Sequence, residues 1–318
     1  MLRAALERIG QSLVVVILCS VAVFFAGNLL ATGSVATVLV GPEGATPEQM
    51  QILNARLGLN TPLPIRYIDW AAGALHGDFG ISPISGRSGT DVIAQELPIS
   101  LELMLLILLL ATLIGVVLGV MAAVWAGKPA DFLMRAVALT FISIPGFIIG
   151  TFLILAASSY APGLMSATFV PLLKDPSENL VSMLLPTITG ALPSAAMLMQ
   201  ITRATMLESL SQPYATMANA RGIPRWRIYF VHSLKNSLPS VVTFQGFNIG
   251  VLLGSLFIIE TLFSLPGLAR GLLDALNNRD YVLIEAQVMV IAIGFILGNL
   301  AVDLLIPLID PRLRSARQ

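Results

Sequence analysis

The stretch "YATMANARGIPRWRIYFVHSLKNSLP" (residues 214–239) decides the fold of this chain, because it interrupts a very apolar sequence with basic and aromatic residues. Its closely spaced charges make it too costly to place across a bilayer. It is also too rich in Trp, Tyr, Phe and Leu to be a plain linker. The sequence therefore predicts a folded surface element whose basic side chains are Arg221, Arg225, Arg227, His232 and Lys235.

The composition around this stretch is typical of a protein that crosses a membrane several times. Of its 318 residues, 56% are hydrophobic and 11% are charged, whereas soluble domains carry roughly 25% charged residues. An all-α fold is expected, because unpaired backbone groups are too costly in lipid. The formal net charge is zero, so the charge balance gives no indication of a nucleic-acid partner. Cys19 is the only cysteine in the sequence and cannot form an internal disulfide. The six segments long enough to span are 10–31, 98–126, 132–157, 181–206, 238–264 and 283–307.

The basic residues predict the orientation of these six spans. With a cytoplasmic N-terminus, twelve of the 18 lysines and arginines fall in inner segments and six in the outer loops, although the outer loops are longer. Cytoplasmic loops carry an excess of Lys and Arg, so both termini and residues 214–239 are predicted to be cytoplasmic. The first apolar run is long for a signal peptide and is interpreted as a retained anchor.

The spans divide the chain into three segments. Residues 1–31 are the N-terminal segment and first transmembrane helix, and residues 32–97 are a large extracytoplasmic loop. Residues 98–318 are the core, with five transmembrane helices and a cytoplasmic loop at about 213–237. This division places the basic stretch between the fourth and fifth spans.

The long outer loop contains signs of local structure. A capping box predicts a helix from Thr46 to Gly58. A second short helix is expected around Ile65–Leu75, and "HGDFG" (76–80) is expected to form a turn. His76 has no second histidine or cysteine near it, so no metal site is predicted.

Small and polar residues within the spans are candidates for helix packing or for a translocation path. Glycines every four residues let another helix approach closely, either in this chain or in a second subunit. Prolines and uncharged polar groups can line a path or serve the structure alone. Acidic residues lie near the span ends (Glu102, Glu260, Glu285 and Asp303), which weighs against ion coupling. The candidates are Pro145, Gln200, Gln245, Asn248, Gly246, Gly250 and Gly254, with Pro186, Pro193 and a small-residue row at Ala111, Gly115, Gly119 and Ala123.

Residues 214–239 are predicted to form two short helices. The first ends near Arg221, where Gly222 can adopt a left-handed conformation. The second begins at Pro224, which suits a first helical position. On an α-helical wheel the aromatic residues share one face and the basic residues gather opposite, which fits docking to anionic lipid or to a protein. The aromatic face comprises Trp226, Tyr229, Phe230 and Leu234, and the basic face Arg225, His232 and Lys235.

The stretch "YATMANARGIPRWRIYFVHSLKN" resembles the cytoplasmic loop of ABC importer permeases, in particular the B-type subunit of the dipeptide/oligopeptide/nickel family. The resemblance extends in order through "LGLNTPLPIRYIDW", "GDFGIS", "LPISLELMLLILLLATLIGVVLGVMAA", "ISIPGFIIG", "LPSAAMLMQITRATMLE", "ETLFSLPGLARGLLDAL", "RDYVLIEA" and "NLAVDLLIPLIDPRLR". Two departures are Ala220-Arg221-Gly222, where the family usually has Ala-Lys-Gly, and Pro239, which stands one residue early. The second departure leaves the start of span five uncertain by a residue.

The resemblance implies a type I ABC importer permease fold with a cytoplasmic coupling helix, in a bacterial inner membrane. It implies a second related permease subunit, two ATP-binding subunits, an extracytoplasmic substrate-binding protein and contact with membrane lipid. ATP and magnesium would lie on the ATPase partners and no cofactor on this chain, which has no phosphate-binding G-x-x-x-x-G-K-[ST] motif. The residues it implies for ATPase coupling are Ala218, Arg221, Gly222, Arg225, Trp226, Phe230, His232 and Lys235.

Two other classes of protein are weighed against this one. An ion-coupled secondary carrier would need an ion site at the midplane of the membrane, where the acidic residues are poorly placed. A membrane enzyme would need paired carboxylates, zinc-ligand spacing or a nucleophile with its base, and none appears in the sequence. Among importer substrates, di- or oligopeptides are favoured, and nickel and oligosaccharides stay open.

Overall fold

The computed structural model describes residues 2–31, 61–165 and 169–309, and these are mainly helical. The helix predicted from Thr46 to Gly58 lies outside the described residues. The predicted helix around Ile65–Leu75 is confirmed as Leu63–Leu75, and the turn that follows it has positive φ at Gly77 and Gly80. The first helices in chain order are α1 (Leu2–Ala31), α2 (Leu63–Leu75), α3 (Gly89–Val124), α4 (Pro129–Ser143), α5 (Gly146–Tyr160) and α6 (Pro162–Met165).

The second half of the chain continues in the same way. Arg225–Leu262 is one continuous helix of 38 residues in which the stretch Ile228–Ser233 is π-helical. The remaining helices are α7 (Pro176–Ser211), α8 (Pro213–Ala220), α9 (Arg225–Arg227), α10 (Leu234–Leu262), α11 (Leu268–Asn277) and α12 (Tyr281–Ile309). Asp175 caps the start of α7, and hydrogen bonds from Ser177 and Glu178 hold the pKa of its carboxyl below the usual value.

Five of the described helices are long and apolar enough to cross a membrane, and a sixth span is formed if α4 and α5 count as one. The sequence predicts residues 132–157 as one helix with a kink. The structure instead has two helices bent by 103°. The five unbroken spans are Glu7–Asn28, Gly89–Val124, Pro176–Ser211, Arg225–Leu262 and Tyr281–Ala301.

Pro145 explains the break in the third span. A residue before proline is pushed out of the helical region, and Ile144 accordingly has φ −85° and ψ 125°. Pro145 itself, with φ −56° and ψ 137°, caps the start of α5. Pro186 and Pro193 behave differently, because both lie inside the continuous helix α7.

The small-residue row on α3 packs within the chain. A Cβ added at Gly115 would lie 2.8 Å from the Ala195 carbonyl oxygen, and one at Gly119 would lie 2.6 Å from Thr202 Cβ. Ala111 and Ala123 on the same face are buried. Glycine is therefore required at both positions, because α3 and α7 approach backbone to backbone. Of the two alternatives for this row, packing inside the subunit is confirmed.

The chain divides into two compact units. One comprises mainly Leu101–Leu265, and its helix α7 packs against α4, α5 and α10. The other combines the described part of Leu6–Ser100 with Pro266–Leu297. In this second unit Leu268 N donates to Ser100 Oγ (2.8 Å), and Ser82 Oγ donates to Asp280 Oδ2 (2.5 Å). Two loops that the sequence places on the same outer side thus meet.

Helix α2 lies against the first span. Its Tyr67 shares a hydrogen bond with Ser20 (2.8 Å), and the rings of Tyr67 and Trp70 both contact Phe24. Farther along α1, Asn28 Nδ2 donates to Glu285 Oε1 (3.2 Å). Glu285 is thus accommodated by a polar partner near the end of the span, as its position in the sequence suggests.

Candidate functional site

The first half of the stretch 214–239 ends as the sequence predicts. Helix α8 stops at Ala220, and Gly222 follows with φ +73°. Gly222 N donates to the Asn219 carbonyl (3.0 Å) and Ile223 N to the Ala218 carbonyl (3.1 Å). These two bonds form a Schellman motif, which satisfies the last carbonyl groups of a helix.

The second half begins one residue later than expected and is not a plain α-helix. Pro224 stands at the N-cap, and the helix starts at Arg225. The π-helical turn Ile228–Ser233 then carries more residues per turn than an α-helix. An α-helical wheel therefore misplaces the side chains that follow, and the single aromatic face predicted from it is wrong.

The four residues of that expected face divide into two pairs. Tyr229 and Leu234 pack inward against the buried side chains of Val120, Ala123 and Met206. Trp226 and Phe230 instead lie on the surface, where they are 56% and 55% exposed. The inward pair fixes the stretch to α3 and α7, while the outward pair remains available for a partner.

We call the exposed side of this stretch the basic–aromatic surface. It comprises Arg225, Trp226, Arg227, Phe230, Val231, His232 and Lys235, all exposed. The Arg227 guanidinium stacks over the Trp226 ring, 5.6 Å from its centroid. The structure thus brings together five of the predicted coupling residues: Arg225, Trp226, Phe230, His232 and Lys235. Of the other three, Arg221 and Gly222 are exposed at the end of α8, whereas Ala218 is buried.

Buried small residues hold α8 against this surface element. Ala215, Ala218 and Ile228 form a cluster with Leu210, Tyr214 and Ile223 packed around it. Ala218 therefore has a packing role, since a larger side chain there would separate α8 from Ile228. The Tyr214 hydroxyl accepts a hydrogen bond from Asn236 Nδ2 (3.0 Å) and shares another with Ser209.

An ion pair in the same unit joins α4 to α7, and sequence reasoning missed it. Arg203 Nε and Nη2 each donate to a carboxylate oxygen of Asp131 at 2.7 Å, which makes the pair bidentate. Gly127 N donates to the same carboxylate at 3.0 Å. Asp131 is 3% exposed. The signal was present in the sequence, because an arginine inside an apolar helix needs an acidic partner.

The translocation-path candidates are mostly engaged with one another or with the backbone. Gln245 Nε2 donates to the Leu108 carbonyl (3.0 Å) and contacts Thr112. Asn248 Nδ2 donates to Gln245 Oε1, and Ser194 Oγ to Asn248 Oδ1, both at 3.3 Å. These bonds join α3, α7 and α10, so a structural role accounts for Gln245 and Asn248. Gln200 is half-buried on α7.

The three glycines of α10 have different surroundings. Gly246 is buried, Gly250 is half-buried and Gly254 is exposed. A Cβ at Gly254 would meet nothing within 4 Å. Phe247, Val251 and Ile258 are exposed on the same side of α10. Packing inside the chain thus explains Gly246 and does not explain Gly254.

Among the residues that the structure describes, no group of three or more His, Cys, Asp or Glu is placed to hold a metal ion. The His76 side chain forms a hydrogen bond within its own helix end, where its Nδ1 lies 2.7 Å from the Ala72 carbonyl oxygen. A pocket of about 160 Å³ in the second unit is lined by side chains of α3, α11 and α12 and by the loop before α3. The candidate site is instead the basic–aromatic surface, where five of the predicted coupling residues lie together.

Comparisons with known proteins agree with this geometry. Residues 115–315 match the family described as binding-protein-dependent transport system inner membrane component, and residues 1–103 match the N-terminal family of such membrane components. The chain is 33% identical over 309 residues to the probable peptide ABC transporter permease protein y4tP of Sinorhizobium fredii (strain NBRC 101917 / NGR234), covering 97% of this chain and 98% of that protein. It is 32% identical over 314 residues to the glutathione transport system permease protein GsiC of Escherichia coli (strain K12), covering 99% of each. The chain therefore belongs to the family of binding-protein-dependent transport system inner membrane components, as an all-α, multi-pass and non-catalytic permease of the ABC importer class.

Proposed function

We propose that this chain imports di- or oligopeptides as one of two related permease subunits, and that its basic–aromatic surface docks a separate ATPase subunit. The observation that carries the docking role is the continuous helix Arg225–Leu262, which presents this surface at one end and crosses the membrane with the rest. A displacement of Trp226 or Phe230 by a docked ATPase would therefore move the membrane span of the same helix directly. The peptide substrate is inferred from the names of the relatives, which specify peptide and glutathione transport.

The proposed mechanism is alternating access driven from the cytoplasm. ATP and magnesium lie on two ATPase subunits, and closure of these subunits moves the docked surface and switches the spans between inward- and outward-facing arrangements. An extracytoplasmic binding protein delivers the substrate on the other side. This arrangement requires both termini and the basic–aromatic surface to be cytoplasmic.

Packing within each unit supports that topology. In the second unit, Ser82 of the first predicted outer loop bonds to Asp280 of the last one. Ser100, at the outer end of the span that follows the first loop, accepts a hydrogen bond from Leu268 N of the last loop. In the first unit, predicted inner residues pack together: Tyr229 contacts the α3 and α7 ends, and Arg203 binds Asp131. Segments assigned to one side by their charge are therefore grouped in space.

Docking to protein is favoured over attachment to lipid by the rigidity of the surface. On the opposite side of the helix, Ile228, Ser233 and Ser237 are each at most 2% exposed. The stretch is therefore packed into the protein and is not a peripheral helix held only by lipid headgroups. Gln245 and Asn248, two of the polar residues within the spans, are already hydrogen-bonded within the chain, which weighs against their holding a coupling ion.

The test is uptake by the complex reconstituted in vesicles with its second permease, ATPase subunits and binding protein. Labelled dipeptide and glutathione are supplied with ATP, without ATP, or with an imposed ion gradient alone. Uptake that needs ATP is expected, with at least one of the two substrates accepted. Uptake driven by the gradient alone would replace this proposal with the secondary carrier.

A pair of substitutions tests the docking surface in the same system. Trp226→Ala combined with Phe230→Ala is expected to reduce the ATPase recovered with the purified permeases by at least tenfold, because exposed aromatic anchors carry much of an interface's energy. Phe152→Ala is the control, since Phe152 is 67% exposed on α5 but lies away from the cytoplasmic stretch. Full ATPase recovery with the double variant would contradict docking at this surface.

A further inference from the structure

We propose that Tyr214 is the positioning residue that makes the coupling segment, residues 213–233 from α8 to the π-helical turn, move as one body with both of its flanking spans, α7 and α10. This inference rests on the proposed function, because it explains how motion at the basic–aromatic surface reaches α7 as well as α10. Tyr214 lies outside that surface and is not needed to bind the ATPase. Its hydroxyl is the feature that performs the positioning.

The hydroxyl stands where three elements meet. Ser209 belongs to the last turns of α7, Tyr214 to the first turn of α8, and Asn236 to the first turn of α10. Asn236 Nδ2 donates to Tyr214 Oη at 3.0 Å, and the hydroxyl shares a second bond with Ser209 Oγ. Side chains 22 and 5 residues away in sequence are thereby joined through a single oxygen atom.

The surroundings leave the ring few alternative positions. It packs against the cluster of Ala215, Ala218 and Ile228, and Ser209 is 7% exposed. Gln212 N, between α7 and α8, donates to the Ser209 carbonyl (3.3 Å). The phenol is therefore held on its apolar face by packing and at its polar tip by hydrogen bonds, a combination suited to fixing orientation.

The basic–aromatic surface has its own direct connection to α10 but not to α7. Arg225–Leu262 is one helix, so α10 follows the docked residues without any help. The backbone path to α7 is longer, because it runs back through Gly222, α8 and Gln212. The shorter connections to α7 are made by side chains, namely the packing of Tyr229 and Leu234 near Met206 and the bonds of Tyr214. Since apolar contacts slide more easily than directional hydrogen bonds, loss of the hydroxyl should let α7 lag behind α10.

The decisive variant is Tyr214→Phe, which removes one oxygen atom and keeps the ring. We expect the number of substrate molecules imported per ATP hydrolysed to fall about fivefold, the order expected for a hydrogen-bond contribution. ATPase recovered with the permeases should stay within about twofold of the unmodified complex. Tyr229→Phe is the matched control, because it removes a phenolic oxygen from the π-helical turn, keeps the ring that packs near Met206 and leaves the Tyr214 bonds in place.

A second variant separates positioning from general stability. Asn236→Ala should lower the same ratio, and adding it to Tyr214→Phe should lower it little further, because both changes break one connection. An unchanged ratio in Tyr214→Phe, or equal and additive losses in the two variants, would overturn the inference. So would a parallel loss of bound ATPase, which would make Tyr214 a docking residue. If the unmodified complex itself imports without ATP, the proposed function fails first, before any substitution is read.

Discussion

At the scale of single residues, Gly222 is a position where a small backbone strain is expected to misplace the coupling segment. Its φ of +73° is unfavourable for a side chain with a Cβ, while the space around it is open. Substitution therefore costs only the backbone strain, roughly 1–2 kcal/mol. Ser264 and Arg279, both with φ 56°, occupy equivalent positions after α10 and α11. The chain thus tolerates such strain at other helix ends, and folding should survive it here.

The variant Gly222→Val should insert into the membrane and pair with the second permease normally, yet lose most of its import. Relief of the strain would tilt the helix that starts at Arg225 and misplace Trp226 and Phe230 against the ATPase. Uptake and ATP hydrolysis stimulated by loaded binding protein are the measurements. Gly222→Asn is the control, because asparagine enters the left-handed region more readily. Undiminished import by the valine variant would remove the coupling role from this glycine.

At the scale of elements, the Asp131–Arg203 pair joins α4 to α7. Breaking one side of a fully buried pair leaves an uncompensated charge and costs about 3–5 kcal/mol. The cost here should lie toward the lower end of that range, because the Arg203 side chain is 19% exposed. Asp131→Ala should therefore lower the thermal stability of the purified complex strongly. The double variant Asp131→Leu with Arg203→Met should recover most of it, because no lone charge remains. A double variant as unstable as the single one would show that the pair supplies more than mutual neutralisation.

The glycine rows of α3 and α10 lead to opposite expectations. Gly119→Leu should prevent folding, since its Cβ alone would lie 2.8 Å from the Met199 carbonyl oxygen of α7. Gly254→Leu should leave this chain folded, because its surroundings are open, and should impair recovery of the second permease if that subunit covers this side of α10. Gly250→Leu is expected to act in the same direction. Normal pairing of the Gly254 variant, seen by co-purification, would indicate that this side of α10 contacts lipid.

Several of these elements could be predicted from the sequence alone, and others could not. The small-residue row on α3, the helix stop at Gly222 and the short helix α2 follow from local rules, because glycine, proline and spacing act over a few residues. The bend at Pro145 was expected as a kink, but whether a proline kinks or breaks a helix depends on what packs beside it. The π-helical turn at Ile228–Ser233 had no local signal. For the Asp131–Arg203 pair the sequence indicated that Arg203 needs an acidic partner, but the identity of that partner depends on contacts between distant parts of the chain.

At the scale of the whole molecule, the distribution of charge assigns sides to the loops, and packing groups the same loops together. The orientation inferred from charge uses all 18 lysines and arginines. The grouping of loops inferred from packing uses a few contacts, among them the hydrogen bonds of Ser82 and Arg203. These two lines of reasoning are independent. Together they predict that the loop before α3 faces the outside and that α7 ends in the cytoplasm.

Single cysteines test this orientation directly. The background is Cys19→Ser, which removes the only native cysteine. In it, Ser85→Cys should react with a membrane-impermeant maleimide added to cells whose outer membrane is permeabilised and whose inner membrane is intact. Ser211→Cys should react only after the inner membrane is opened. Both serines are exposed, so failure to react reports sidedness and not burial. Ser209 is unsuitable for the inner position, because it is 7% exposed and bonded to Tyr214. Reaction of both cysteines from outside would place the basic–aromatic surface beyond the reach of a cytoplasmic ATPase, and the docking role would fall with it.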